Sequence, residues 1–170
     1  MAKAQGMAEH EPVGRAAADG CTASIGQMTI RPMTEEDIRE VAALEAETFS
    51  MPWSKKSLME TLCQEEMLFL VAREKALLGY AGVCMSLDEG EITNVAVREN
   101  ARRRGVARRL LEELTARMAE ANICRLVLEV RVSNTAAMKL YESCGFAIAG
   151  TRKRFYERPV EDAWVMNKSI

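Results

Sequence analysis

Glu91-Ile92-Thr93-Asn94-Val95-Ala96-Val97, followed within a few residues by Arg102-Arg103-Arg104-Gly105-Val106-Ala107, is the stretch that decides the fold. The first run is β-like. The second opens an amphipathic helix that the periodicity extends from Val106 to about Ala121, with Val106, Leu110, Leu111, Leu114 and Met118 on one face. A small-residue turn that opens a helix directly after a strand concentrates free backbone N–H groups at the positive end of the helix dipole. That arrangement suits a phosphate chain. Gly105 stands where backbone would have to approach such a ligand closely.

Working outward, the elements alternate. Met28-Thr29-Ile30-Arg31-Pro32 begins a strand, and Thr34 with Asp37 forms a capping-box-like start for a helix carrying Ile38, Val41 and Leu44. Phe49 to Ser54 breaks that helix, and Ser54 caps a second one. Met67–Arg73 and Leu77–Leu87 read as strands, and Asp88-Glu89-Gly90 as a turn. Cys124–Arg131 is strongly β-like. Asn134 caps a helix that ends at Gly145. Phe146–Tyr156 and Asp162–Lys168 close the chain as strands. The order β-α-α-β-β-β-α-β-α-β-β predicts an α/β (α+β) domain with a mixed sheet and helices on both faces.

The chain has 170 residues, enough for one domain, which we place at 28–170. Residues 1–27 differ: Ala and Gly supply eleven of them and large apolar side chains are nearly absent, so we expect a disordered extension. The net charge of −2 gives no field favouring nucleic acid, although six arginines fall between Arg98 and Arg109. Those arginines lack the interleaved aromatics of a single-strand reader, so no direct nucleic-acid binding is expected. No apolar run reaches membrane-spanning length and no secretory h-region is present. Five cysteines without C-x-x-C spacing suggest buried free thiols in a reducing cytoplasm. His10, in the extension, is the sole histidine. A Ser-His or Cys-His pair inside the domain is excluded, as is a His-containing zinc site, and no metal is expected. Acid–base chemistry falls to carboxylates, tyrosine, lysine or water.

Glu129 stands out within Leu126-Val127-Leu128-Glu129-Val130-Arg131, a strand otherwise built for burial. It is either a general base facing a cleft or a surface carboxylate paired with Arg125 or Arg131. Tyr141, twelve residues on, is either a proton donor or an aromatic wedge between helix and sheet. Asn134 suits both an N-cap and a ligand contact. Glu45, Glu47, Asp88 and Glu89 could draw a basic peptide or a polycation.

Arg102-x-x-Gly105-x-Ala107 resembles the pyrophosphate-binding motif of the GCN5-related N-acetyltransferases. Arg102 stands where Gln is common, and Ala107 where a second Gly is. The joint spacing Leu128-Glu129-Val130-Arg131 … Ser133-Asn134 … Leu140-Tyr141-Glu142 … Gly145-Phe146 is similar to the ribosomal-protein-alanine branch of that family. Phe49-Ser50-x-Pro52-Trp53-Ser54 and Glu161-Asp162-Ala163 … Met166 extend the likeness. The resemblance implies the acyl-CoA N-acyltransferase fold, with a mostly antiparallel sheet and a splayed strand pair. It implies acetyl-CoA as co-substrate, contacted by Val95, Ala96, Val97, Arg103, Arg104, Gly105, Val106, Ala107, Arg108 and Asn134. It gives Glu129 the place of proton acceptor and Tyr141 that of proton donor. The implied acceptor is a protein N-terminal α-amine, the alanine of a small-subunit ribosomal protein foremost. A cytoplasmic monomer is expected. Acetylation of a lysine side chain, a polyamine or an aminoglycoside, and non-catalytic acyl-CoA binding, remain the rival readings at this point.

Overall fold

The structure, a computed structural model, describes residues 28–170. The extension, with His10 and Cys21, lies outside the described residues. Seven strands form one sheet: β1 (Thr29–Pro32), β2 (Met67–Arg73), β3 (Leu77–Ser86), β4 (Glu89–Val97), β5 (Arg125–Arg131), β6 (Ala147–Glu157) and β7 (Val160–Ser169). Four α-helices accompany them: α1 (Ile38–Thr48), α2 (Lys55–Leu62), α3 (Val106–Glu120) and α4 (Thr135–Ser143). The order of elements is the one read from the sequence.

Across the sheet the strands run β1-β2-β3-β4-β5-β7-β6. Every neighbouring pair is antiparallel except β4 and β5. That parallel pair follows from the crossover through α3, since two strands joined by a helix return in the same direction. Helices cover both faces, as predicted. Strand alternation divides the core accordingly. Leu70, Ala72, Ala81, Val83, Val95 and Val97 pack under α3 and α4, whereas Phe69, Val71, Leu77, Tyr80 and Ala96 pack under α1 and α2. The five α3 residues assigned to its apolar face are all buried. Ser54 caps α2 by accepting from the Ser57 N–H at 3.0 Å.

The cysteines depart from expectation. Cys63 and Cys124 are exposed, and Cys84 and Cys144 are half-buried, all four as free thiols. Cys63, Cys124 and Cys144 flank the ends of elements and Cys84 lies near the end of β3, so the apolar runs around them bury their neighbours instead.

One acidic residue ties the sheet edge to the first helix. Asp37, in the short 3₁₀ turn Glu35–Asp37 that precedes α1, is 2% exposed. It accepts from Arg31 at 2.7 and 2.9 Å, from Arg73 at 3.0 Å, and from the Thr34 N–H at 2.9 Å. Burial pushes its carboxyl up, but the bonds from Arg31 and Thr34 outweigh that and hold it below the usual carboxylate range. A depressed folded pKa contributes stability that is present above the unfolded value of about 3.9 and lost as pH falls through the folded value. Asp37→Asn is therefore expected to cost about 1.5–3 kcal/mol at pH 7. The deficit should shrink as urea unfolding is repeated toward pH 3; a deficit that does not change with pH would contradict this role.

Candidate active site

β4 and β5 pair only over Glu89–Glu91 with Arg125–Val127. Beyond Glu91 they part, while β4 stays zipped to β3 up to Val97 and β5 to β7 up to Arg131. The splayed pair expected from the sequence is therefore present, and the gap is a narrow slot lined by Ile92, Thr93, Asn94, Val95, Leu128, Glu129 and Tyr141.

The backbone of β4 makes this slot polar. Its register with β3 skips Thr93, so that Gly82 faces Asn94 and Val83 faces Ile92. This bulge reverses the side-chain alternation at the mouth of the slot. Gly82 is required opposite it, because a Cβ there would meet the Phe69 ring at 2.6 Å and the Thr93 hydroxyl at 2.9 Å. Past the bulge, the Arg98 N–H donates to the Leu78 carbonyl at 2.8 Å. Antiparallel peptide groups alternate in direction, so those of Val95 and Val97 face away from β3 and toward the parted side.

The buried side chains agree. Among the described residues, three buried side-chain polar atoms lack any partner: Thr93 Oγ1, Asn94 Oδ1 and Glu129 Oε2. All three belong to residues that line the slot. Buried polar groups are rarely left orphaned, and here they converge on one place.

Glu129 and Tyr141 meet there from opposite faces. Leu128 and Val130 pack under α3 and α4, so Glu129 projects toward the α1–α2 face. It is 3% exposed. Its partner is neither Arg125, which pairs with Glu89, nor Arg131, which pairs with Glu161, but Arg152 of β6 at 3.0 Å. Burial pushes the Glu129 carboxyl up; Arg152 opposes this and Glu91 reinforces it. Tyr141 comes from α4, is 3% exposed, and packs edge-on to Phe146 with ring centroids 5.9 Å apart. Burial, and then Tyr156 and Cys144, push its phenol well above the ordinary tyrosine value. So Glu129 is a carboxylate eased toward neutral pH, and Tyr141 is a phenol held protonated.

The phosphate-loop candidate is equally open. Gly105 has φ +79°, and a Cβ there would meet nothing within 4 Å. It is the N-cap of α3 without a side-chain cap, and the first intrahelical bond runs from Arg109 N–H to its carbonyl. The N–H groups of Val106, Ala107 and Arg108 therefore have no intrahelical acceptor. Val106 and Ala107 side chains are buried, so these residues can offer a ligand only backbone. Arg103 is exposed. Arg104 pairs with Glu74 at 2.6 Å, and Arg108 donates to the carbonyl and hydroxyl of Ser143 at 3.3 and 2.8 Å. Asn134 is buried, and its side chain caps α4 by accepting from the Ala137 N–H at 3.0 Å. No cluster of three or more His, Cys, Asp or Glu side chains among the described residues could hold a metal ion.

One element of the site was missed in the sequence and one was misassigned. Arg152 was not singled out. Glu45, read as an exposed lure for a basic partner, is fully buried. It accepts from the Tyr80 hydroxyl, from Asn94 at 3.2 Å and from the Trp53 N–H at 2.7 Å. Burial pushes its carboxyl up, and the donors only partly offset that. Glu45 thus fastens the α1–α2 loop to the wall of the slot. The available signal was its spacing: Val41, Leu44, Glu45 and Thr48 share the buried face of α1.

The profile of the acetyltransferase (GNAT) family matches residues 38–146. The [ribosomal protein bS18]-alanine N-acetyltransferase of Escherichia coli K12 is 32% identical over 140 residues, 81% of this chain and 95% of that protein. The N-alpha-acetyltransferase RimI of Mycobacterium tuberculosis is 34% identical over 154 residues, 86% of this chain and 96% of that protein. The crystal structure of the ribosomal-protein-S18-alanine N-acetyltransferase from Escherichia coli superposes with a TM-score of 0.78 at 32% identity, covering 85% of this chain and 94% of that one.

Replacing Glu45 by Ala removes the acceptor of three donors. Hydrogen exchange at the Trp53 amide is expected to accelerate by about tenfold or more, with residues 49–51 following, while α3 amides stay protected. Unchanged Trp53 protection would show that Glu45 does not fasten the loop.

Proposed function

The chain belongs to the GNAT acetyltransferase family, and from that premise we propose that it moves the acetyl group of acetyl-CoA to a protein N-terminal α-amine, that of the alanine of a small-subunit ribosomal protein. The observation that carries this reading is the convergence of orphaned Thr93, Asn94 and Glu129 atoms on a slot shared with Tyr141. The names of the similar bacterial proteins support the choice of acceptor. The reaction would take place in the cytoplasm, where ribosomal proteins are made, with the chain acting as a monomer.

The residues fit acetyl-CoA. Backbone N–H groups of Val106, Ala107 and Arg108 above Gly105 suit its pyrophosphate. Arg103, Arg104 and Arg108 supply positive charge around that turn, and Asn134 lies at the start of α4 beside the end of β5. Val95, Ala96 and Val97 offer strand-like backbone to the pantetheine. When bound, acetyl-CoA supplies an acetyl group activated as a thioester. Val95 and Val97 N–H groups stabilise the oxyanion that develops at its carbonyl. Glu129 accepts the proton that the amine gives up as the new N–C bond forms. Tyr141 gives its phenolic proton to the departing sulfur. No cysteine intermediate is needed, since the amine attacks directly. An α-amine is the better acceptor on physical grounds: its pKa near 8 lies about 2.4 units below that of lysine, roughly 3 kcal/mol less to deprotonate.

Two measurements test this. With an alanine-initiated peptide, Glu129→Gln and Tyr141→Phe should each lower kcat by about a hundredfold or more, with acetyl-CoA affinity within a few-fold of the parent. Parent-like turnover in both variants would remove these assignments, and faster acetylation of spermidine or of a lysine in an N-blocked peptide would remove the proposed acceptor. Gly105→Val should raise KM for acetyl-CoA by about tenfold or more, because it fills the open approach and strains a left-handed residue. An equal rise in KM for the peptide would place Gly105 outside a phosphate site.

A further inference from the structure

Strand β6 holds Glu129 at two points. Its register against β7 breaks between Arg152 and Tyr156, with Arg154 in the left-handed region at φ +52°. This irregularity lets both flanking side chains reach the same residue. Arg152 Nη1 lies 3.0 Å from Glu129 Oε1, and the Tyr156 hydroxyl donates to the Glu129 main-chain carbonyl at 3.3 Å. Arg131, itself paired with Glu161 at 2.9 Å, stacks over the Tyr156 ring at 4.1 Å. The Arg152 guanidinium in turn lies 5.4 Å over Phe155. The two grips differ in character, one on the main chain and one on a single carboxyl oxygen. The other oxygen, Oε2, is buried and unpartnered.

We propose that Arg152 is a positioning residue for the transfer: it holds Glu129 by Oε1, so that Oε2 is the oxygen presented to the incoming amine. This rests on the acetyltransferase reading with Glu129 as base. Arg152 is 57% exposed at its side chain, while Glu129 is 2% exposed. The guanidinium therefore reaches inward from the surface to compensate a charge that the interior disfavours. The charged and titratable groups facing Glu129 are Arg152 and Tyr156 from β6, Glu91 from β4 and Tyr141 from α4; its register partner on β7 is the neutral Val165. Arg152 is the one cation in that set. It opposes both burial and Glu91, and it acts on Glu91 in the same sense. Without it, two carboxyls on one sheet face would lie beside a buried slot with only a backbone hydrogen bond left to favour the ionised form of Glu129.

The sign of the effect follows. Removing the cation moves the Glu129 carboxyl further up, so the base form appears at higher pH. The experiment is the pH profile of kcat/KM for an alanine-initiated peptide, from pH 5.5 to 9, in the parent, Arg152→Gln and Arg152→Lys. Arg152→Gln should shift the acidic limb upward by about one pH unit, giving a loss of about tenfold at the acid end that shrinks as pH rises. Arg152→Lys should restore most of the limb, because a charge is returned without the planar fork. An unmoved limb, a loss equal at every pH, or no rescue by lysine would overturn the proposal. A carboxyl-labelled glutamate NMR titration, with the Glu129 resonance identified from Glu129→Gln, reads the same quantity without turnover. If the parent acetylates no peptide, the proposed peptide acceptor fails by itself. The titration then still decides whether Arg152 governs Glu129: a Glu129 midpoint equal in the parent and Arg152→Gln would overturn it.

Discussion

Everything in this fold that bears on chemistry depends on β4 and β5 parting after three register pairs. Two neighbouring strands in the middle of a sheet would ordinarily satisfy each other's backbone along their whole length. Here β4 is held on one side by eight register pairs with β3, and β5 by seven with β7. Those flanking ladders, together with α3 packed across β2, β3 and β4, fix the two strands in a divergence that costs hydrogen bonds. The cost is local and its products are specific: strand edges with unused peptide groups, and three buried polar atoms without partners. A ligand that offers an extended, hydrogen-bonding chain would satisfy what the protein alone leaves open.

The electrostatics of the site follow from the same gap. Glu45, Glu91 and Glu129 all have their carboxyls pushed up, chiefly by burial. A carboxyl raised in the folded state binds protons more tightly there than in the unfolded chain, so it subtracts stability as pH rises above the unfolded value near 4.3. Asp37, Glu40 and Glu161 run the other way, each held down by arginine partners and backbone N–H groups against burial. The chain thus separates its acids by place. Asp37 and Glu40 at the start of α1, and Glu161 on the β6–β7 hairpin, contribute to stability at neutral pH. Those around the slot detract from it, as expected where groups are kept reactive.

How much of this was readable in the sequence depended on the distance over which each signal acts. The element order, the α3 core face, the Ser54 and Asn134 caps and the Gly105 turn were all legible, because periodicity, capping and positive φ are decided within a few residues. Glu129 was legible for a related reason: a carboxylate inside an apolar strand is conspicuous locally. What it pairs with was not. Arg125 and Arg131 are its sequence neighbours, yet they pair with Glu89 and Glu161, and the cation that reaches it comes from β6 through a register break that no local pattern announces. Glu45 failed for the opposite reason. A glutamate on a helix is by default a solvated residue, and its donors, Tyr80 and Asn94, lie 35 and 49 residues away. The cysteines were misjudged because an apolar run says which segment is buried, not which end of it.

The two faces of the sheet give the slot its direction. Glu129 enters from the side of α1 and α2, with Glu45 and the fastened loop beside it, whereas Tyr141 enters from the side of α3 and α4, where the Gly105 turn lies. The bulge at Thr93 sits between them, so β4 changes the facing of its side chains where the strands have parted. On the proposed reading, the amine and the coenzyme need not share an entrance. The proton leaving the nitrogen goes to one face and the proton reaching the sulfur comes from the other. A carboxyl raised toward neutrality suits the first task, and a phenol, protonated at neutral pH, carries the proton needed for the second. Neither setting would survive if both groups stood in one solvated pocket, where water would return each to its ordinary value. On that reading, the split sheet lets a base and an acid reach one slot from its two opposite faces.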